Sequence, residues 1–261
     1  MTEEQKARRY GNITSSEIVA LLSKNKKGDG FGVPATTYIK QTNMERRLGR
    51  SIDNEATACA LSWGKCCEIV AHDKLPADYT FCAKTTLQHP SISYWLGSPD
   101  VTALDNQVVG DIKCPITLQA FCEMLDAGTS NAPLAPLKRT IEACVENHKN
   151  GEKYRAQIIS NACITGATKG HLIIYVPYHK DLDLIRRRAA ALDAAGEKGY
   201  SWIVYASDDE LPWLPDDCPE YNDINIIEFD ILPAWKQELT DCVIKAGEML
   251  IDWPKPKKLL S

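Results

Sequence analysis

The sequence predicts an α/β (α+β) chain with a central mixed β-sheet flanked by helices. Two observations lead there. The apolar run His171-Leu-Ile-Ile-Tyr-Val176 lies between a helical pattern over 152–164 and a charged, Ala-rich helical pattern over 181–198, the order expected of a layered sheet. Upstream, strand-like runs over 99–104 and 107–113 are separated by Asp105-Asn106, a turn signal that makes the connection hairpin-like.

Taken in order, Thr14-Ser-Ser-Glu17 has the form of a capping box, with Ile18, Leu21 and Leu22 following at helical spacing. A Lys- and Gly-rich loop over 24–32 leads to a helix from Pro34 that contains Tyr38 and Ile39. Residues 55–75 read as one long helix, with Leu61, Trp63, Glu68, Ile69 and Val70 on it. Strands are expected at 79–88, 99–104 and 107–113, and a helix at 117–127. Pro133 and Pro136 break the stretch 128–150, and 137–148 regains helical pattern, which reads as an inserted loop plus helix. Strand signals at 201–206 and 224–229 flank an Asp- and Pro-rich excursion over 208–219, and an amphipathic helix from Pro233 to about Leu250 closes the chain. There is no internal repeat and no clear linker, so residues 1–261 are expected to form a single domain.

With 44% hydrophobic and 25% charged residues, the chain can bury a substantial core. It has no run of about 18 apolar residues, so no membrane-spanning helix is expected. Met1 to Tyr10 lack the apolar centre of a signal peptide, and a cytoplasmic location is expected. The ten cysteines include no C-x-x-C pair, which removes zinc-site spacing and leaves them as reduced thiols. Cys59, Cys122 and Cys163 stand among apolar residues and read as small hydrophobes. A net charge of −5 argues against binding nucleic acid through bulk charge. Local basic clusters remain at Lys24, Lys26 and Lys27, at Arg46, Arg47 and Arg50, and at Arg186–Arg188, the last reading as a solvated helix face.

The stretch from Gly97 to Pro115 carries the chemistry. It places Pro99-Asp100 ahead of Asp111-Ile112-Lys113 across the hairpin. Residues two apart on a strand share a face, so Asp111 and Lys113 project together while Ile112 turns into the core. If the Asp100 segment pairs with that strand, two carboxylates and an ammonium meet at one spot. Such a set suits metal-dependent phosphodiester cleavage, with acids for a divalent cation and a cation for the attacking water. The alternative is a solvated charge pair on an exposed strand edge. Val108 and Val109 lead into the triplet as an apolar strand, where unpaired charge is costly.

Three further motifs accompany this one in order. Arg9-Tyr-Gly-Asn-Ile-Thr-Ser-Ser16-Glu17 and Ala60-Leu-Ser-Trp63-Gly64-Lys65-Cys-Cys-Glu68 precede it, and Tyr154-Arg-Ala-Gln157 follows. From about residue 8 to residue 178 the set resembles the phage lambda exonuclease family, the YqaJ-like viral recombinases of the PD-(D/E)xK nuclease superfamily. That resemblance implies a restriction-endonuclease-like core and a Mg²⁺-dependent deoxyribonuclease, with Mn²⁺ able to substitute and one or two ions per site. It implies digestion of the 5′-ended strand of linear duplex DNA, leaving 3′ single-stranded tails for a single-strand annealing protein in phage-type recombination. A homotrimer around DNA is implied as well. Rival readings are a nicking or structure-specific endonuclease on the same core, and a DNA-end-binding module that cuts nothing.

Site roles follow from the resemblance. Asp100 and Asp111 would bind the cation with the Ile112 backbone carbonyl, and Lys113 would orient the nucleophilic water. Glu68 would complete the acidic set through a second ion or a water, its alternative being a surface carboxylate. Arg9 and Ser16 resemble the family's pocket for a 5′ phosphate. Independently, a Ser in the first turn of a capped helix faces free N–H groups that favour an anion. Ser98 would contact the scissile region and Lys26 would face duplex DNA. Leu61 would be a strand-splitting wedge, with simple core packing as its alternative. Gln157 opens the family's Gln-x-Gln pair, and Ile159 stands where the second glutamine falls. Asp111 replaces a longer Glu, and 128–150 is longer than the family's counterpart.

Overall fold

The structure, a computed structural model, describes residues 8–52, 59–83, 85–127, 139–219 and 221–251. The chain runs β1 (Ile13–Thr14), a 3₁₀ turn (Ile18–Leu22), α1 (Val33–Leu48), α2 (Cys59–Asp73), β2 (Thr80–Phe81), β3 (Leu87–Gln88), β4 (Trp95–Gly97), β5 (Val101–Ala103) and β6 (Val108–Lys113). It continues through α3 (Leu118–Ala127), α4 (Ile141–Asn147), α5 (Gly151–Thr165), β7 (Lys169–Tyr175), α6 (Leu182–Ala194), α7 (Ser201–Tyr205), β8 (Ile224–Asp230) and α8 (Pro233–Gly247).

Alternation along the central strands sets the layers. Leu172 and Ile174 of β7, Val109 of β6 and Ile227 of β8 enter one buried cluster with residues of α3, α4, α5 and α8. Ile173 and Tyr175 of β7, Ile112 of β6 and Val101 of β5 enter the other, against α2, α6 and α7. The five-stranded sheet has the order β2-β5-β6-β7-β8 and is antiparallel except for the parallel pair β6–β7. A parallel pair needs a long crossover, which α3, α4 and α5 supply. A second sheet, β1-β4-β3, pairs β1 with β4 in parallel and β4 with β3 antiparallel. The mixed sheet between helical layers is the predicted architecture.

The element boundaries differ in instructive places. Thr14 to Glu17 do not form a capping box. Thr14 is a strand residue, its N–H donates to the Tyr38 hydroxyl at 2.8 Å, and the following 3₁₀ turn has no side-chain cap. Pairing with β4, some 80 residues away, overrides the local signal: Ile13 N–H donates to Tyr94 O and Ser15 N–H to Leu96 O. A reciprocal capping box does form, at Ser207 and Glu210, where the predicted excursion begins. The expected strand at 201–206 is instead the short helix α7. Ile203 is buried and Tyr205 is 84% exposed, while Trp202 Nε1 donates to Ser62 Oγ at 2.9 Å. The sheet edge beside β7 is already taken by β8. The run 79–88 divides into β2 and β3, which join different sheets, and β4 was not foreseen. The expected helix over 55–75 is observed from Cys59 to Asp73, its start at 55–58 lying outside the described residues, as do 128–138 of the inserted stretch. Within that stretch α4, capped by Thr140, delivers Ile141 and Cys144 to the core. Among the cysteines, Cys66, Cys67 and Cys144 are the buried ones, whereas Cys59 is exposed and Cys122 and Cys163 are half-buried. No helix among the described residues is long and apolar enough to cross a membrane.

Gly97 is fixed by close approach. A Cβ placed there would lie 2.3 Å from Asn161 Oδ1, 2.6 Å from Ser15 Oγ and 2.8 Å from Ile164 Cδ1. Gly97→Ala is therefore expected to cost about 1–3 kcal/mol through overpacking, read as a fall in Tm of several degrees by calorimetry. A Tm equal to wild type would show that this seam is loose.

Candidate active site

β5 and β6 form the hairpin that assembles the acids. Val101 pairs with Gly110, and Asp100 N–H donates to Gly110 O at 3.1 Å. Asp100 then turns its side chain across the pair, and Oδ2 accepts the Ile112 N–H at 2.7 Å. Asp111 lies on the α5 face with Val109 and is 1% exposed. Its Oδ2 is 2.6 Å from Lys113 Nζ, and its Oδ1 accepts from Gln157 Nε2 at 2.7 Å. The Lys113 ammonium also stands 5.2 Å from the centre of the Tyr154 ring. α2 brings Glu68 to the same place, where its carboxyl is hydrogen-bonded to that of Asp100.

These groups perturb one another strongly. Burial, then the charges of Asp111 and Glu68, push Asp100 well above the usual carboxyl range. Burial also raises Glu68, with Asp111 adding to it against the hydrogen bond from Asp100 and the charge of Lys113. Burial disfavours the charged form of Lys113, but Asp111 and Asp100 overcome it and hold the ammonium above ordinary lysine. Three acids thus face one ammonium, and burial beside one another pushes the Glu68 and Asp100 carboxyls toward their neutral forms. An all-oxygen set carrying excess negative charge fits a hard divalent cation. Among the described residues no three Asp, Glu, His or Cys side chains form a ready-made metal cage. A cation here would rest on two carboxylates and a main-chain oxygen, completed by water and substrate, as Mg²⁺ commonly does.

Glu68, Asp100 and Gln157 line a cleft of about 250 Å³ together with Arg9, Ser15, Ser16 and Ser98. Arg9 Nη2 donates to Ser16 Oγ at 2.9 Å. Burial lowers the Arg9 pKa from its ordinary value, against the pull of Tyr38, Glu17 and Asp100. Ser16 sits in the turn after β1, not in the first turn of a capped helix, so the anion-attracting character here comes from Arg9 and hydroxyls. Ser98 Oγ lies 3.2 Å from Thr86 Oγ1.

The remaining predicted residues fall differently. Lys26 is exposed in the loop between Lys24 and Phe31 and does not line the cleft. Leu61 is 51% exposed in the first turn of α2, which removes core packing as its explanation. Ile159, about 200° around α5 from Gln157, packs with Leu22, Trp235 and Leu239. The missing second glutamine therefore leaves Asp111 held, because Gln157 alone reaches it.

Comparison with solved structures gives the fold a context. The alkaline exonuclease LHK-Exo from Laribacter hongkongensis superposes with a TM-score of 0.58 at 16% identity, over 95% of this chain and 92% of its own. A structure of LHK-Exo in complex with dAMP superposes with a TM-score of 0.59 over the same shares. A phage-related exonuclease from Haemophilus somnus 129PT gives 0.61 at 11% identity, over 91% and 92%. This chain has the fold of those exonucleases. No protein-family model matches the sequence, and no curated protein is significantly similar to it.

Sequence reasoning missed Ser15 and Lys65. Lys65 stands one turn before Glu68, and that i, i+3 spacing was the available signal. Ser15 had none. It is buried, its Oγ is 2.8 Å from Ser160 Oγ, and Ser160 Oγ also accepts from Trp95 Nε1 at 2.8 Å. α5 thus holds both Asp111, through Gln157, and Ser15, through Ser160.

The raised Asp100 carboxyl has a consequence for stability. Stability from a group whose folded pKa is raised is present below its unfolded pKa and lost as pH rises through the folded one. Asn at this position keeps an acceptor for the Ile112 N–H and removes the charge. Without divalent cations, Asp100→Asn is expected to melt above wild type at neutral pH, with the gain vanishing below the ordinary Asp pKa of about 3.9. A variant that melts below wild type across the whole pH range would contradict the crowded-charge account.

Proposed function

We propose that the protein is a divalent-cation-dependent DNA exonuclease that removes nucleotides from the 5′-ended strand of linear duplex DNA. The observation that carries this reading is one cleft lined by Arg9 and Ser16 together with Glu68 and Asp100, with Asp111 buried on the neighbouring strand. A strand end whose phosphate rests at Arg9 lays an adjacent phosphodiester toward the acids. A cleft of about 250 Å³ is too small for a duplex, whose major groove alone is about 12 Å wide, which favours entry of one strand end. The fold shared with the two exonucleases supports the same class of reaction, and dAMP in one LHK-Exo structure suits a site for a single nucleotide.

A bound Mg²⁺, or Mn²⁺ in its place, would supply charge neutralisation at the phosphate and an acidified water at neutral pH. Asp100, Asp111 and the Ile112 carbonyl would hold it, with Glu68 completing the acidic set. Lys113, pinned by Asp111, orients the nucleophilic water and steadies charge developing on the phosphate. Gln157 keeps Asp111 in its rotamer. Arg9, Ser16 and Ser98 position the strand end, and exposed Leu61 and Lys26 meet the duplex beyond it. The 3′ tails left behind would suit a strand-annealing partner, and a homotrimer around DNA would gather the local basic clusters into a channel.

Lys113→Ala and Asp100→Ala are each expected to lower cleavage of linear duplex by roughly 10²–10³-fold or more, measured with purified protein and Mg²⁺. Undiminished activity in either would overturn the assignment. Chelation should stop the reaction, and calorimetric titration should detect Mg²⁺ or Mn²⁺ binding that is weakened in Asp100→Ala. Duplexes labelled at either end should lose the 5′ label first, as mononucleotide, while closed circular DNA stays intact. Cutting of the circle would instead favour the endonuclease reading. Gln157→Leu is expected to retain the fold and lose about 10–100-fold in activity.

A further inference from the structure

We infer that His148, at the end of the inserted stretch, is a positioning residue: through the ring of Tyr154 it sets the direction of the Lys113 ammonium. The role rests on the exonuclease reading of the site and brings in a residue that lies outside all of its motifs.

One ring meets two neighbours. Lys113 Nζ lies 5.2 Å from the centre of the Tyr154 ring, and the His148 ring is stacked on Tyr154 at 5.7 Å between centres and 20° between planes. His148 is itself fixed. Its N–H donates to Cys144 O at 2.9 Å and closes α4, and its O accepts the Gly151 N–H at 2.9 Å. Its Nδ1 accepts the Asn150 N–H at 3.2 Å. The corner between α4 and α5 has no slack, because a Cβ on Gly151 would lie 2.0 Å from Cys144 O. Asn150 O accepts the Tyr154 N–H at 3.0 Å, which ties the tyrosine to the same corner. Among the described residues the Tyr154 hydroxyl meets the Asn150 amide at 3.5 Å, beyond the ordinary range of a hydrogen bond. Packing against His148, more than the hydroxyl, therefore fixes the tilt of the ring.

The tilt matters because an ammonium is a rotor with three N–H donors on a flexible stem. Asp111 Oδ2, 2.6 Å away, fixes one direction and leaves the group free to turn about that contact. An aromatic face within cation–π range supplies a second direction, and the remaining N–H then points to one place. The face attracts an ammonium best when no second cation competes for its π electrons. His148 meets that condition: burial, then the charge of Lys149, lower its pKa against the pull of Glu123, so a neutral ring supports the tyrosine at neutral pH.

The test uses the full-length protein on linear duplex with Mg²⁺, under single turnover. His148→Ala should lower the rate at saturating DNA about three- to tenfold, the size of one cation–π contact. The DNA concentration giving half that rate should not change, because Lys113 acts on the attacking water and not on the fit of the strand. His148→Phe keeps a neutral ring and should return the rate to within about twofold of wild type. In the Tyr154→Leu background His148→Ala should add no further loss, since the route to Lys113 is already cut. Isotope-labelled lysine gives a readout that needs no activity: the Lys113 side-chain resonance, displaced by the Tyr154 ring current, should move toward the ordinary lysine position in His148→Ala. An unmoved resonance overturns the inference. So do, in a protein that cuts, an unchanged rate, His148→Phe no better than His148→Ala, or losses that add in the Tyr154→Leu background as a fold defect would. If wild type cuts linear duplex and any of these appears, only the role of His148 fails. If wild type cuts nothing while the resonance still moves, the exonuclease reading fails and the link from His148 to Lys113 stands.

Discussion

The hydrogen bond from the Ile112 N–H to Asp100 Oδ2 joins neighbouring strands through a side chain, and the site is organised about it. The bond sits where the β5–β6 ladder ends. It fixes Asp100 against the main chain of the residue between Asp111 and Lys113, so three functional positions move as one piece. Because the strand is buried, these charges are removed from water, where an unpaired carboxylate costs several kcal/mol. Gln157, Lys113 and the Glu68 carboxyl each satisfy part of that demand. The sheet provides rigidity and the helices provide partners.

α5 has a double task. Its Gln157 reaches Asp111 on β6, and one turn later Ser160 reaches Ser15 beside β1. The spacing between Asp111 and Ser15 is therefore set along one helix, which rises about 1.5 Å per residue. Ile158, Ile159 and Ala162 hold that helix in the core. The proposed reaction, which seats a strand end in one place and cuts in another, needs such a spacer, and a buried helix is stiffer than any loop.

Some of this could be read in the chain and some could not. Asp111 and Lys113 stood out because charge in an apolar strand requires a reason, and Glu68 because it closes a motif resembling that of the lambda exonuclease family. Ser16 was reached for the wrong physical cause. Thr14 to Glu17 look like a helix start only while β4 is unseen, and the residues that claim β1 are about 80 positions away. The run 201–206 failed similarly: aromatic and β-branched residues favour a strand, but Ser62 and the occupied sheet edge make a helix of them. Ser15 and Ser160 carry no pattern at all, since a buried pair of hydroxyls acquires meaning only when two distant elements meet.

Arg9 and Ser16 line the cleft from the first sixteen residues, and Ile13, Ile18 and Leu21 beside them are fully buried. Each such side chain contributes about 1.5–3 kcal/mol to the fold. The segment that carries Arg9 and Ser16 is thus also a structural member, and shedding it would open the core beneath α5. Were the proposed end preference to be lost, the inexpensive route is to change Arg9 or Ser16 where they stand. Recognition in this fold is free to drift in chemistry while its location stays fixed.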